Sequence, residues 1–349
     1  MCSTSATTAS ISAIPAEMAT VRIFLPTHRR PTMLPRALAS LCAQTCRDWV
    51  CELHNDAPDD PVPGQLLAEL DDPRITLITH TKNLGGTASF NLFFQPCPEP
   101  FYSILEDDNW WEPEFLATML ETAAAHPTVT VFWANMRFAR EESDGSFTNT
   151  GRTIWPEATG AAVQFFPWGR PQQICGALHS NGAALFRSQL GQDFQIPAVP
   201  FAVIEPFRER AFPHPLALVS KPLATFSLTR QTTRSRDVAE WAETQAILAA
   251  TFFKDCPWSK QQWRLAWADA RACQPPETTN LILAAIAEPA CRDLLRHAQC
   301  RDWWIAIRGL VRRPSLYFRL RRSRRVHAAW WQFLEKNAGQ RWREAGGSR

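Results

Sequence analysis

From Val21 onward, short apolar runs take turns with segments of helical period. The runs "VRIFL", "WVCELH", "RITLIT", "FYSIL" and "TVTVFW" read as strands. Between them, "TMLPRALASLCAQT", Pro63 to Leu70, Gly86 to Phe94 and Glu112 to Ala125 read as helices. Few architectures accept that order. Strands that alternate with helices build a mainly parallel sheet covered on both faces, so the predicted fold class is α/β and Rossmann-like. In such sheets ligands bind beyond the carboxyl ends of the strands, where loops of neighbouring units converge. Four polar segments occupy those places: "PTHRRP" (26–31), "NDAPDD" (55–60), "THTKNLGG" (79–86) and "EDDN" (106–109).

The last of these sets Glu106, Asp107 and Asp108 side by side. Adjacent carboxylates raise one another's pKa unless a cation offsets their repulsion. Mg2+ or Mn2+ suits that role, because such ions prefer oxygen ligands and Mg2+ is usually held by one or two carboxylates plus substrate phosphates. A phosphate-bearing substrate is implied. The competing reading makes residues 107–114 a solvated loop in which Asp108 or Asn109 caps the helix starting near Pro113.

At 349 residues the chain can bury a full core, and its 45% hydrophobic and 20% charged content is that of a globular protein. A net charge of +3 does not by itself call for a nucleic-acid partner. The ten cysteines include no CxxC pair and no zinc-like spacing, which suits reduced thiols in a cytoplasmic protein. "MCSTSATTASISAIPAEMAT" has neither a basic n-region nor a continuous apolar core, so residues 1–20 read as a flexible leader rather than a signal peptide. Nowhere do about 18 apolar residues run uninterrupted, which argues against a spanning helix. From about Arg137 to Gly160 the chain turns polar and reads as a loop or hairpin insertion. A strand is expected near Leu216 to Ser220, and beyond Val238 the pattern is helical throughout.

The four loop segments, taken in order, resemble those of glycosyltransferase family 2, the nucleotide-sugar-dependent enzymes with a GT-A fold. "VRIFLPTHRRP" resembles that family's opening strand and P-T-x-N-R loop, "CELHNDAP" its second strand and acidic pair, "NLGGTASFN" its N-x-G-x-x-x-A-x-N segment, and "EDDNWWEP" its D-x-D region. The likeness extends over roughly residues 21–230. Arg29 stands where the family usually has Asn, Asn55 replaces the first acidic residue of the second loop, and Glu106 opens the D-x-D.

Position by position, the resemblance implies that Thr27 and Arg30 lie beside the nucleotide and that Asp56 accepts a hydrogen bond from a base such as uracil. Asn83 and Asn91 would also face the nucleotide sugar, although both suit turn or helix-cap roles equally well. Asp107 would meet the ribose or sugar, and Asp108 would coordinate the metal, with Glu106 as a second ligand candidate. Asp56 has its own alternative, an Asx-type turn bond before Pro58. An inverting transfer needs a base for the acceptor hydroxyl. Glu205 in "AVIEPFRERAF" is the candidate, with Asp193 in reserve; the alternative is a helix-start carboxylate paired with Arg208 or Arg210. "TFSLTRQTTRS" nominates Arg230 or Arg234 to screen the departing diphosphate, and "LHSNGAALFR" nominates His179 and Asn181 for acceptor contact.

The expected organisation is a GT-A catalytic domain over 21–237, with a nucleotide-binding half (21–135) and an acceptor-side half (136–237), followed by a helical Arg/Trp-rich extension over 238–349. That extension sets nine arginines, from Arg301 to Arg325, among Trp303, Trp304, Leu310, Tyr317, Phe318, Trp330 and Trp331. Basic helices with Trp and Leu can lie in an anionic membrane surface, which would suit a lipid-linked glycan acceptor on the inner face of the membrane. An aromatic bundle packed on the catalytic domain, with a solvated arginine face, explains the same residues. No nucleic-acid-binding motif accompanies the arginines. Two rival functions stay open: a non-catalytic glycan-binding or scaffold protein of the same fold, and a nucleotidyltransferase. The second lacks the Gly-rich, Lys-containing loop expected after its first strand.

Overall fold

The computed structural model describes residues 20–156, 161–168, 177–178, 180–188, 194–212, 215–230, 237–273 and 276–346. The first half runs β1 (Val21–Thr27), α1 (Leu34–Cys42), β2 (Trp49–Asn55), α2 (Val62–Leu70), β3 (Ile75–Thr79), α3 (Gly86–Asn91), β4 (Phe101–Ile104), β5 (Trp110–Trp111) and α4 (Phe115–Ala125). It continues with β6 (Val131–Glu141), β7 (Phe147–Thr153), β8 (Val163–Phe166), β9 (Ala184–Arg187), α5 (Ile204–Glu209) and β10 (Leu216–Leu228). The helices α6 (Val238–Phe253), α7 (Lys260–Ala272), α8 (Thr278–Ala287), α9 (Cys300–Arg312), α10 (Pro314–Val326) and α11 (Ala328–Gly346) follow.

The strands form one sheet in the order β3-β2-β1-β4-β9-β6-β10-β5, with β7 added to β6 and β8 to β10. β3, β2, β1 and β4 are mutually parallel, as are β6 and β10, while β5, β7, β8 and β9 run antiparallel to their neighbours. The sheet is therefore mixed, with its β3-β2-β1-β4 block parallel as the alternation of the first half predicts.

Side-chain alternation sorts the two faces. Val21, Ile23 and Leu25 of β1 join Leu34, Ala37, Leu38 and Leu41 of α1 in one core layer, the helix residues sharing a face at helical spacing. Phe24 points the other way, into an aromatic layer with Phe90, Phe93, Phe94, Tyr102 and Phe186. Within it Phe24 and Phe93 stack at 5.0 Å and Tyr102 and Phe186 at 4.8 Å, pairs worth about 0.5–1.5 kcal/mol each beyond their burial.

Of the two forms expected for the polar stretch after Arg137, loop or hairpin, the chain takes the hairpin, because β6 continues to Glu141 and β7 returns along it. Two expectations shift in detail. The helix expected from Glu112 begins at Phe115, since Trp110–Trp111 pair with β10 and Pro113 interrupts the chain before the helix. The short strand expected near Leu216 runs to Leu228, crossing the sheet beside β6.

α6 is buried along most of its length among the remaining helices, with Trp267, Trp331 and Trp342 filling their shared core. That core also takes in Val203, Ile204 and Phe207, so the helices pack directly onto α5. Trp330 Nε1 donates to Ala198 O at 2.7 Å and Arg341 Nη2 to Ala211 O at 2.9 Å.

Candidate active site

Register brings the predicted loops to one edge. Thr27 pairs with Asn55 and Asn55 with Thr79, while Phe24 pairs with Ile104, so the chain leaves β1, β2, β3 and β4 on the same side of the sheet. Across that edge Thr27 Oγ1 donates to Asp107 Oδ2 at 2.8 Å, and the His28 amide approaches the same oxygen at 3.4 Å. Burial and the neighbouring Asp108 push the Asp107 carboxyl up to about 7, against the Thr27 hydrogen bond and the charge of Arg30. Arg30 is half-buried beside this pair and turns Nη1 toward Met33 Sδ at 3.9 Å.

Asp56 reaches a neighbouring loop instead of closing its own turn. Asn55 makes the Asx turn, accepting from Ala57 N at 3.0 Å and donating to Asp60 O at 3.0 Å. Asp56 Oδ1 accepts from Leu84 N at 2.8 Å and Oδ2 from Gly85 N at 3.3 Å, with His80 Nδ1 at 3.2 Å from Oδ1. Asn83 accepts from Gly85 N at 2.7 Å and meets His28 Nε2 at 2.8 Å. Gly85 sits at φ +78 and permits this turn, and a Cβ on Gly86 would come within 2.5 Å of the Phe201 ring. Arg29, also at positive φ, is exposed and ion-paired with Asp59 at 2.6 Å.

The acceptor-side segment closes on the carboxylate run from the opposite direction. Asn109 Nδ2 donates to Glu106 Oε2 at 2.7 Å, and a Cβ on Gly182 would lie 2.5 Å from that oxygen, so Glu106 fits only against a glycine. Trp111 Nε1 fixes Gly182 by donating to its carbonyl at 2.8 Å. The adjacent Asn181 amide donates to Glu205 Oε1 at 2.8 Å. Glu106 and Glu205 thus flank the same short segment. Ser180 Oγ and Asn181 Oδ1 are buried there without a hydrogen-bond partner among the described residues. Buried polar atoms in native proteins are nearly always hydrogen-bonded, so a water or a ligand group is needed to satisfy these two.

Arg208 does not close on Glu205 by a hydrogen bond among the described contacts. It donates to Asn91 Oδ1 at 2.7 Å and to Phe194 O at 3.3 Å, and lies 3.6 Å from the centre of the Phe94 ring. Asn91 in turn exchanges hydrogen bonds with the Ile196 backbone at 2.8 and 3.1 Å. Its amide is thereby engaged in joining α3 to the chain before α5, which is neither the turn nor the helix-cap role that was its alternative. Arg230 is exposed just beyond β10, its amide donating to Glu141 Oε2 at 2.7 Å. His179, Arg234 and Asp193 lie outside the described residues.

Sequence reasoning passed over several residues that support the site. Arg36 of α1 donates to Asp108 O at 2.8 Å while its guanidinium lies over Trp110 and Phe147 at 4.1 and 3.9 Å. Burial lowers the Arg36 pKa, with Asp108 and Glu141 opposing. A cavity of about 290 Å3 opens alongside, lined by Trp110, Glu112, Arg137, Phe147, Asn149 and Thr225. Arg36 sits at a helical position that any solvated arginine could occupy, so only packing reveals it.

Among the described residues no group of three or more His, Cys, Asp or Glu could hold a metal ion by itself. What the edge offers is the 106–108 run, where the half-buried Asp107 carboxyl beside Asp108 is pushed above its ordinary range. Those residues fit a divalent cation completed by phosphate oxygens and do not fit a protein-only cage.

Residues 22–173 match the family model described as Glycosyl transferase family 2. The chain is 28% identical over 123 residues to the succinoglycan biosynthesis protein ExoW of Rhizobium meliloti, a match covering 34% of this chain and 38% of that relative. The match thus spans well under half of the relative. Among solved structures, S. aureus TarS 1-349 in complex with UDP-GlcNAc superposes with a TM-score of 0.57 at 12% identity, covering 92% of both chains. The complex of the same protein with UDP gives 0.55 at 12% identity, covering 92% of this chain and 91% of that one. These likenesses identify the fold as GT-A.

Proposed function

From a chain whose residues 22–173 belong to glycosyl transferase family 2, we propose an inverting sugar transfer from a nucleotide diphosphate sugar to a hydroxyl acceptor, in surface polysaccharide or glycolipid synthesis. The observation that carries this reading is the meeting of two carboxylate sets across Gly182: Glu106 to Asp108 on one side, Glu205 on the other. The relative in succinoglycan biosynthesis and the UDP-GlcNAc complex of a structural neighbour agree with it.

In this reading Thr27, Arg30, Asp56 and Asp107 receive the nucleotide and its sugar. A divalent cation held by Asp108, with Glu106 nearby, would stabilise the charge that develops on the leaving diphosphate. Glu205 takes the acceptor proton as the acceptor oxygen bonds to the anomeric carbon and the diphosphate leaves with the electron pair of the broken bond. Asn181 Oδ1 and Ser180 Oγ supply hydrogen-bonding capacity for acceptor hydroxyls, and Arg230 screens the departing diphosphate. The cavity beside Phe147 and Asn149 gives the β6–β7 hairpin a part in acceptor choice.

Residues 21–237 form the catalytic unit in this account, and the helices after it provide a membrane contact. No helix among the described residues is long and apolar enough to cross a membrane. On α9, Trp304, Ile307 and Val311 are exposed at 66%, 50% and 75%, spaced to share one face. Asp302 and Ala306 are buried, while Arg301, Arg308 and Arg312 are exposed. An apolar stripe flanked by arginines suits the surface of an anionic membrane and a lipid-linked acceptor.

Thermal shift with a panel of nucleoside diphosphates, each with and without Mn2+, tests the donor site, since a ligand of the native state raises its melting temperature. A metal-dependent shift for one nucleotide that disappears in Asp108→Ala is the expected result. No shift with any member would favour a non-catalytic glycan-binding role.

A further inference from the structure

Side-chain alternation on four neighbouring strands builds the cavity beside Trp110. Residues two apart on a strand share a face, which brings Arg137 with Ala139, Phe147 with Asn149, and Trp110 with Glu112 to its lining. Register sets Thr225 beside both Arg137 and Trp110, and Ala139 beside Asn149. Ala139 and Thr225 are small and buried and leave the space open, while the half-buried Trp110, Phe147, Glu112 and Arg137 form its walls. Trp111 points the other way and stacks on Phe115 at 4.2 Å in the core. The Trp110 and Phe147 rings meet nearly at right angles, 5.7 Å between centres, with the Arg36 guanidinium against both.

This lining selects among ligands. Arg137 Nη1 donates to Glu112 Oε1 at 2.8 Å, so the cation and the carboxylate of the cavity offset each other. A phosphate would meet no net positive charge here, and an alkyl chain would strip water from the ion pair without replacing it. A neutral molecule with apolar C–H faces and a rim of hydroxyls fits both parts, and a pyranose ring is such a molecule. Its C–H face lies on an aromatic ring while its hydroxyls donate to Glu112 and accept from Arg137. A carboxylate has roughly four acceptor sites and a guanidinium about five N–H donors, so the bond between Glu112 and Arg137 takes only a fraction of either. Asn149 Oδ1 accepts the Gly151 amide at 2.8 Å, which makes donation through Nδ2 the contribution of that side chain. The volume of about 290 Å3 lies at the lower end of ligand sites, about 300 Å3 and upward.

We propose that this cavity is a sugar subsite: it holds a neutral pyranose residue of the acceptor glycan against Trp110 and Phe147 and hydrogen-bonds its hydroxyls through Glu112, Arg137 and Asn149. Only the ring's place in an acceptor glycan rests on the transferase reading. Sheet order supports that place. Thr27 and Asp56 stand at the ends of β1 and β2, whereas the cavity lies over β7, β6, β10 and β5 in the other half of the sheet. Asp107 accepts from Thr27 and the Asp108 carbonyl from Arg36 and Ser227, so the carboxylate run joins the two places.

Indole 15N labelling of the full chain gives each tryptophan its own N–H signal, and Trp110→Phe assigns the one that matters. The probes are the methyl β-glycosides of glucose, galactose and N-acetylglucosamine, with methyl β-D-glucuronide as the anionic comparison. At least one neutral glycoside should shift the Trp110 signal saturably. Asn149→Ala, at an exposed position of β7, should raise that Kd about two- to tenfold, the usual worth of one hydrogen bond, with the melting temperature within a few degrees of wild type. No shift at Trp110 with any neutral glycoside, tighter binding of the glucuronide than of the glucoside, or a Kd unmoved by Asn149→Ala would each overturn the proposal. Thermal shift with nucleoside diphosphates separates the two readings. A nucleotide response without a glycoside response would remove the subsite alone, and glycoside binding at Trp110 without any nucleotide response would leave the sugar site standing and count against the transferase.

Discussion

Asn181 donates its backbone amide to Glu205 Oε1 at 2.8 Å, so the candidate base is held by the segment whose next residue, Gly182, lies against Glu106. Donor-side and acceptor-side carboxylates are therefore parts of one packed arrangement.

Glu205→Gln keeps an oxygen to accept the Asn181 amide but cannot take a proton. Transfer should fall about a hundredfold to ten-thousandfold, the usual worth of a general base, while nucleotide affinity stays within about twofold. Single-turnover transfer and calorimetric binding of the nucleotide check the two halves of this expectation.

Gly182→Ala places a methyl group 2.5 Å from Glu106 Oε2. Overpacking of that kind costs about 1–3 kcal/mol. Adding Glu106→Ala should return part of the loss, because the clashing carboxylate is then gone, and urea unfolding of the four proteins of this double-mutant cycle measures the coupling. Additive losses would mean that Glu106 is not what the methyl group meets.

Thr27→Val removes the hydroxyl that donates to Asp107 at 2.8 Å. Losing a hydrogen bond of this kind costs about 0.5–1.5 kcal/mol, so a lower melting temperature is expected together with weaker nucleotide binding. Thr27→Ser should restore both, as read by thermal unfolding and titration calorimetry.

Asp302 opens α9, and Arg271 Nη2 reaches it at 2.8 Å. Burial alone would raise this carboxyl, but Arg271 and the Gln299 amide hold it below the ordinary value. A depressed folded-state pKa contributes stability above the unfolded-state value of about 3.9 and loses it as pH falls through the folded one. The melting-temperature gap between wild type and Asp302→Asn should accordingly be largest near neutrality and narrow in acid below about pH 4.

Trp304, Ile307 and Val311 share the exposed face of α9. Replacing all three by serine should sharply reduce co-sedimentation with vesicles containing phosphatidylglycerol and leave the melting temperature within a few degrees, since none belongs to the buried core. Binding by the wild type should also weaken with added salt if the arginines take part.

The order of strands and helices in the first half was legible before folding, because apolar spacing is a local property and each period is written in a few residues. The same alternation implied that Thr27, Asp56 and Asp107 would stand near one another, since a parallel sheet sends every βα loop to one edge. Asn181 read as an acceptor contact and Asn91 as a donor contact or a turn or cap residue, while no local pattern singled out Gly182 or Arg36. Tertiary structure alone decided that Gly182 gives Glu106 its space, that Arg36 lies against Trp110 and Phe147, and that Asn91 ties α3 to Ile196 and Arg208. Each of those contacts joins residues 70 or more positions apart, or depends on the volume a neighbour leaves free, and no local pattern in the chain encodes either.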